Sequence, residues 1–166
     1  APMQEFDYVV VGGGSAGCVV ASRLSEDPSV SVCLLEAGGD GRDLVIRAPL
    51  AFTLAMPRGI NSWHYQTVPQ PGFNGRRGFQ PRGKTLGGSS AINAMIYARG
   101  PRWDYDNWAA MGNTGWGYED VLPYFKKSEA NAIHRDSPYH GVDGPLHVTN
   151  LRSPSPLNDV FLEACQ

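Results

Sequence analysis

The sequence predicts an α/β fold built on a β-α-β unit with parallel strands. Three observations carry this. Residues 6–11 form a short apolar run rich in β-branched side chains, suited to a buried parallel strand. Gly12-Gly13-Gly14 breaks that run, and residues 16–24 then read as a helix with Ser15 near its start. Residues 30–36 form a second strand, stopped by Ala37-Gly38-Gly39. Strand, short helix and strand in this order imply a right-handed crossover between parallel strands.

The first helix ends at Asp27-Pro28, because proline disfavours helix at the residue before it. Beyond Gly41 regularity fades. Residues 48–56 read as a short helix bounded by Pro49 and Pro57, residues 63–68 as a strand and residues 69–78 as turns. After a dense motif at 81–100, helices are expected at 102–111 and 118–129. In the second, Tyr118, Val121, Leu122 and Phe125 share one apolar face. Pro123 fits that helix only within its first turn. Residues 130–145 read as a polar loop and 145–149 as a strand. Ser155-Pro156 marks an N-cap and first helical position, continued by Leu157, Val160, Phe161 and Ala164. The expected organisation is a β-α-β unit at 1–48, a lid or connecting region at 49–80, the motif at 81–100, and a truncated helical region at 101–166.

At 166 residues the chain is the size of one domain. Its net charge of -2 gives no global electrostatic case for nucleic acid or an anionic membrane. With 20 glycines and 13 prolines among much apolar content, many turns are expected rather than disorder. Cys18, Cys33 and Cys165 form no CxxC pair, so reduced packing cysteines and no metal site are expected. That fits a cytoplasmic location, free or peripherally membrane-associated. No apolar run approaches the ~18 residues of a membrane span. Glu5 and Asp7 stand where an export signal would carry cations, and Ala1-Pro2 ahead of Met3 reads as an addition.

Gly12-Gly13-Gly14-Ser15-Ala16-Gly17 fits G-x-G-x-x-G. It follows a strand, opens a helix, and precedes Glu36 at the end of the second strand, the Rossmann-like dinucleotide fingerprint. Gly12 permits the tight turn. Gly14 leaves room for a pyrophosphate, and Gly17 lets the helix pack on the strand. The helix start offers N–H groups to phosphates. Glu36 would accept hydrogen bonds from both ribose hydroxyls and repel a 2′-phosphate, which disfavours NADP. The fingerprint alone does not separate FAD from NAD, because both carry an ADP half.

The second motif runs Gly83-Lys84-Thr85-Leu86-Gly87-Gly88-Ser89-Ser90-Ala91-Ile92-Asn93-Ala94-Met95-Ile96-Tyr97-Ala98-Arg99-Gly100. Gly87-Gly88 allows backbone to approach a planar ligand. Ser89 and Ser90 can cap a short helix through residues 93–96. N–H groups at such a start could stabilise an anionic reduced flavin. A serine-capped structural turn fits the spacing equally well.

Together these residues resemble the glucose–methanol–choline (GMC) family of FAD-dependent oxidoreductases. The carriers are Asp7-Tyr8-Val9-Val10-Val11 with the fingerprint, Leu34-Leu35-Glu36-Ala37-Gly38, Pro81-Arg82-Gly83-Lys84 through Gly100, and His140-Gly141-Val142-Asp143-Gly144-Pro145-Leu146. Within the family the sequence is most similar to bacterial choline-dehydrogenase-like and aliphatic alcohol dehydrogenases. The resemblance implies a Rossmann-like FAD-binding domain followed by the beginning of an α+β substrate or lid domain. It implies ADP contacts at Gly12, Gly14, Ser15, Ala16, Gly17, Glu36 and Ala37. Flavin-side contacts are implied at Gly88, Ser89, Asn93, Ala94, Met95 and Ile96. Ile92 stands where some members attach flavin through histidine, so non-covalent FAD is implied.

The implied activity is oxidation of an alcohol, most simply a primary one, by hydride transfer to flavin N5, with oxygen or another electron acceptor closing the cycle. The family's catalytic histidine is expected beyond Gln166, in a remaining C-terminal part of the same polypeptide. None of His64, His134, His140 and His147 matches its context. Alternatives are a redox-neutral or photochemical member (hydroxynitrile lyase, fatty-acid photodecarboxylase), an NAD-dependent dehydrogenase, and a non-catalytic nucleotide-binding piece. Trp63, Tyr65, Trp103, Tyr105, Trp108, Trp116, Tyr118 and Tyr124 are read as core filling before a substrate channel. Arg76, Arg77, Arg82, Lys84, Arg99 and Arg102 are read as loop charges before a phosphate site.

Overall fold

A computed structural model describes residues 4–166; the reading of Ala1-Pro2 lies outside them. The chain forms two compact units, Ala1–Ile96 and Tyr97–Gln166. In the first, strand β1 (Tyr8–Val11) leads into helix α1 (Ser15–Leu24) and then strand β2 (Val32–Leu35). β1 and β2 pair in parallel, Tyr8 opposite Val32 and Val11 opposite Leu35. Asp7 ties the start of this pair: its Oδ2 accepts from the Ser31 N–H at 2.8 Å and the Ser31 hydroxyl at 2.6 Å. The strands are shorter than their apolar runs and they are not buried. Val11 is 83% exposed, because a two-stranded sheet covers neither face of its strands.

In place of the helix predicted at 48–56 stand a 3-10 turn at Pro49–Ala51 and α3 (Phe52–Arg58), preceded by an unpredicted short helix α2 (Leu44–Arg47). Pro57 lies inside α3 rather than after it, and Gly59 ends it in the left-handed region at φ 65°. β3 (Ser62–Gln66) pairs antiparallel with β4 (Phe79–Gly83), so the turn-rich segment between them is a hairpin connection. β4 escapes sequence reading because it contains Pro81, which cannot donate to a ladder and is confined to edge strands. The expected helix through residues 93–96 is absent. A 3-10 turn occupies Gly88–Ala91, Met95 is left-handed at φ 59°, and Asn93 Oδ1 accepts the Met95 N–H at 2.9 Å. Asparagine competing for the backbone in this way favours a turn over a helix.

Three glycine-rich segments interlock largely through their backbones. The Gly87 N–H donates to Gly13 O at 2.7 Å, and the Leu86 N–H donates to Gly39 O at 2.8 Å. Thr85, fully buried, donates its hydroxyl to the same Gly39 carbonyl at 3.2 Å. A Cβ on Gly17 would stand 1.9 Å from Gly12 O, and one on Gly38 would stand 2.0 Å from Lys84 O. Gly88 combines φ 55° with a Cβ position 2.7 Å from Gly14 Cα.

In the second unit α4 (Arg102–Ala110) and α5 (Tyr118–Ser128) pack through Tyr105, whose ring meets Trp108 and Phe125 edge-on at 5.5 Å. The apolar face of α5 is as expected: Tyr118, Val121, Leu122 and Phe125 are half-buried while its other side is exposed. Pro123 stands beyond the first turn, on the exposed side. β5 (Glu129–Asn131), which takes the last residue read as helix and the first two read as loop, pairs in parallel with β6 (Leu146–Val148). In α6 (Leu157–Ala164) the N-cap position falls on Pro156, one residue later than Ser-Pro predicts, and Ser155 Oγ accepts the Leu157 N–H at 3.3 Å.

Glu129, fully buried, organises this unit. Its carboxylate accepts from Asn131 Nδ2 at 2.8 Å, from the Gly141 N–H at 3.1 Å and from the Arg99 guanidinium, and His140 Nδ1 lies 2.9 Å away. Burial pushes its carboxyl up, but the Asn131, His140 and Gly141 hydrogen bonds and the Arg99 charge outweigh it and hold the carboxyl below its ordinary 4.5. Gly141 and Gly144 fit because a Cβ would meet Lys126 O at 1.8 Å and Ser128 C at 2.3 Å.

Gly88→Ala is expected to lower stability by about 1–3 kcal/mol in thermal or urea unfolding. Gly72→Ala, with nothing within 4 Å of the new Cβ, should stay within about 0.5 kcal/mol. Glu129→Ala leaves Arg99 without its carboxylate and should cost about 3–5 kcal/mol. Because the folded carboxyl titrates below the unfolded one, its contribution is complete above pH ~4.5 and is lost as pH falls through the folded value. Acid unfolding of wild type and Glu129→Gln should converge there, and parallel profiles down to low pH would refute this role.

Candidate functional site

The first unit gathers most of the fingerprint at the carboxyl ends of β1 and β2. Gly12, Gly14, Glu36, Ala37 and Gly88 line one open cavity of about 470 Å³, together with Val11, Leu35, Trp63 and Gly83. Ligands of open α/β sheets bind at this end of the strands. The turn works as the glycines predict. Gly12 is left-handed at φ 97°, and no atom lies within 4 Å of a Cβ built on Gly14, so the space above it is free for a ligand. Gly14 is also the N-cap of α1 and no side chain caps that helix. The first-turn N–H groups, in Ser15, Ala16 and Gly17, therefore face no side-chain acceptor of the protein and can serve an anion.

Glu36 does more than its position predicts. Its Oε2 accepts the Gly13 N–H at 2.7 Å and its Oε1 accepts the Gly38 N–H at 2.8 Å. One carboxylate thus clamps the fingerprint turn to the segment after β2. A carboxylate offers about four acceptor positions, so two remain for hydroxyl donors. Beneath the turn, the Cys18 thiol donates to Gly13 O at 3.2 Å, a packing role consistent with a free cysteine.

The rest of the second motif divides. Ser89 Oγ accepts the Gly83 N–H at 3.1 Å and Ser90 Oγ donates to Gly87 O at 2.6 Å, so both serines brace the turn and neither caps a helix. Asn93 and Met95 line a separate cavity of about 150 Å³ against α2 and α3. Ala94 and Ile96 line neither cavity, and Ile96 is 82% exposed.

Sequence reasoning missed Trp63 and Gly83 as cavity lining. The β3–β4 pairing puts them there, and Lys84 Nζ sits 4.4 Å from the Trp63 ring centroid, a cation–π contact beside the cavity. The arginines read as one cluster serve separate ends: Arg82 donates to Pro81 O at 2.7 Å, Arg99 pairs with Glu129, and Arg102 pairs with Glu119 at 2.6 Å. Among the described residues no group of three metal-binding side chains is present, and no helix is long and apolar enough to cross a membrane.

The GMC oxidoreductase family profile matches residues 6–166. The chain is 48% identical over 159 residues to "Alcohol dehydrogenase [acceptor]" of Pseudomonas putida, covering 96% of this chain and 29% of that protein. It is 44% identical over 171 residues to mouse "Choline dehydrogenase, mitochondrial", covering 98% and 28%. Pyridoxine 4-oxidase from Mesorbium loti superimposes with a TM-score of 0.85 at 40% identity, over 96% of this chain and 31% of that one. An FAD-dependent oxidoreductase from Chaetomium thermophilum does so with a TM-score of 0.81 at 32% identity, over 96% and 29%. The chain thus spans less than a third of the length of the relatives it matches. Its strand-turn-helix, its interlocked glycine segments and these likenesses agree: the chain belongs to the GMC oxidoreductase family, in that family's N-terminal region.

Proposed function

We propose that this chain is the FAD-binding part of an enzyme that oxidises an alcohol. The observation that carries the reading is the cavity at the ends of β1 and β2, open above Gly14 and walled by Glu36, Ala37 and Gly88. Its donor set fits FAD. Glu36 retains acceptor positions for the adenosine ribose, and the uncapped start of α1 with Ser15, Ala16 and Gly17 receives the pyrophosphate. Gly12 and Gly88 hold left-handed backbone that residues with a Cβ rarely adopt, which keeps side chains out of the walls there.

Asn93, Ala94, Met95 and Ile96 take the flavin side, with Ser89 bracing the turn that precedes them. Met95 in a left-handed conformation is a strained feature of the kind that concentrates at ligand sites. Ile92 offers no nucleophile for attachment, which favours non-covalent binding. When bound, FAD supplies the hydride acceptor at flavin N5. The residues here bind and orient. The base that takes the hydroxyl proton belongs to the remainder of the polypeptide, as does access for the electron acceptor. The chain divides in function as 1–48 for ADP, 49–80 as connection or lid, 81–100 for flavin, and 101–166 as the opening of the substrate region.

Purified full-length protein should show flavin absorption bands that bleach under anaerobic conditions on adding a primary alcohol. NAD binding without flavin bands would overturn the reading, and bands that no alcohol bleaches would point to a redox-neutral or photochemical relative. Glu36→Ala removes the clamp and the ribose acceptor together. It should weaken FAD retention by about 1–3 kcal/mol, read as the flavin-to-protein ratio after gel filtration.

A further inference from the structure

The second cavity of the first unit, about 150 Å³ in volume, lies between α2, α3 and the turn after Gly88–Ala91. Its walls are mostly apolar, with Val45, Ile46, Pro49, Phe52, Ile60 and Met95, and include buried Ala55. Three polar side chains reach the lining and each makes one hydrogen bond within the protein. Ser90 Oγ donates to Gly87 O at 2.6 Å, Asn93 Oδ1 accepts the Met95 N–H at 2.9 Å, and Asn61 Nδ2 donates to Asp43 Oδ2 at 3.3 Å. Among the described residues no Asp, Glu, Lys, Arg or His lines it.

We propose that this cavity receives the apolar end of the alcohol substrate, and that it selects uncharged alcohols of about six carbons over quaternary-ammonium alcohols. This rests on the alcohol-oxidation reading above. An apolar cavity of ~150 Å³ holds a benzene-sized group, roughly six carbons. Asn93 and Met95 belong both to this lining and to the proposed flavin side, so a chain seated here leads towards the flavin. A trimethylammonium group would fit by size and fail by charge. Moving an unpaired cation among hydrocarbon walls is costly, and Phe52, the single aromatic ring in the lining, makes no cage.

The test uses the full-length, FAD-loaded enzyme. For anaerobic flavin reduction by straight-chain primary alcohols, kcat/KM should rise by about fourfold per methylene to about six carbons and then level. Choline should be at least about a hundredfold poorer than 1-hexanol, because a buried unpaired charge forfeits far more than two methylenes. Ile46→Phe should shorten the preferred chain and Phe52→Ala should lengthen it; two variants on different elements guard against one failing to fold. Hexanamide, which has no oxidisable carbinol, gives a binding readout through its perturbation of the flavin spectrum, and Ile46→Phe should weaken it about tenfold or more.

If no alcohol bleaches the flavin but hexanamide binding still depends on Ile46, the cavity stands and the oxidation reading falls. Bleaching with an unchanged chain-length profile in both variants would overturn the cavity proposal alone. So would a preference for choline, or loss of flavin from Ile46→Phe, which would assign the cavity to the cofactor.

Discussion

The first unit depends on backbone touching backbone. Residues 12–17, 38–39 and 83–88 meet at distances that leave no place for Cβ atoms at Gly38 and Gly88, while Gly17 and Gly83 let their own segments turn tightly. This contact converts three turns, far apart in sequence, into one wall. It is held by the hydrogen bonds from Gly87 to Gly13 and from Leu86 and Thr85 to Gly39. The cost is conformational entropy, since glycine loses more freedom on folding than any other residue. The return is a stretch of exposed backbone, beside Glu36 and Trp63, that a dinucleotide can approach closely.

Two carboxylates lock the two units, each by the same device. Glu36 bridges the backbone donors of Gly13 and Gly38, and Glu129 gathers Arg99, Asn131, His140 and Gly141. Each joins segments distant in sequence through charge-assisted hydrogen bonds, which exceed neutral ones in strength. They differ in setting. Glu36 lies at a cavity wall and keeps capacity for a ligand, whereas Glu129 is fully buried and spends its acceptors within the protein. The first is therefore a candidate for binding and the second for architecture.

The elements legible in the sequence were those with local causes. The strand, glycine turn and helix at the start follow from apolar period and turn chemistry, and so does the face of α5. The misses have non-local causes. β4 contains Pro81 and exists because β3 lies beside it. β5 is a three-residue strand fixed by its pairing with β6 and by the bonds around Glu129. The helix expected at 93–96 lost to an asparagine side chain that satisfied the backbone first.

The sequence by itself determined the family and the fingerprint turn, because glycine spacing and strand period act over a few residues. Only the tertiary structure decided that Trp63 and Gly83 wall the cavity, that Glu36 clamps the turn it follows, and that Ser89 and Ser90 brace rather than cap. It also decided that Asn93 and Met95 face a second, apolar cavity. These outcomes depend on which segments meet in space, and no periodicity within one segment encodes its partner.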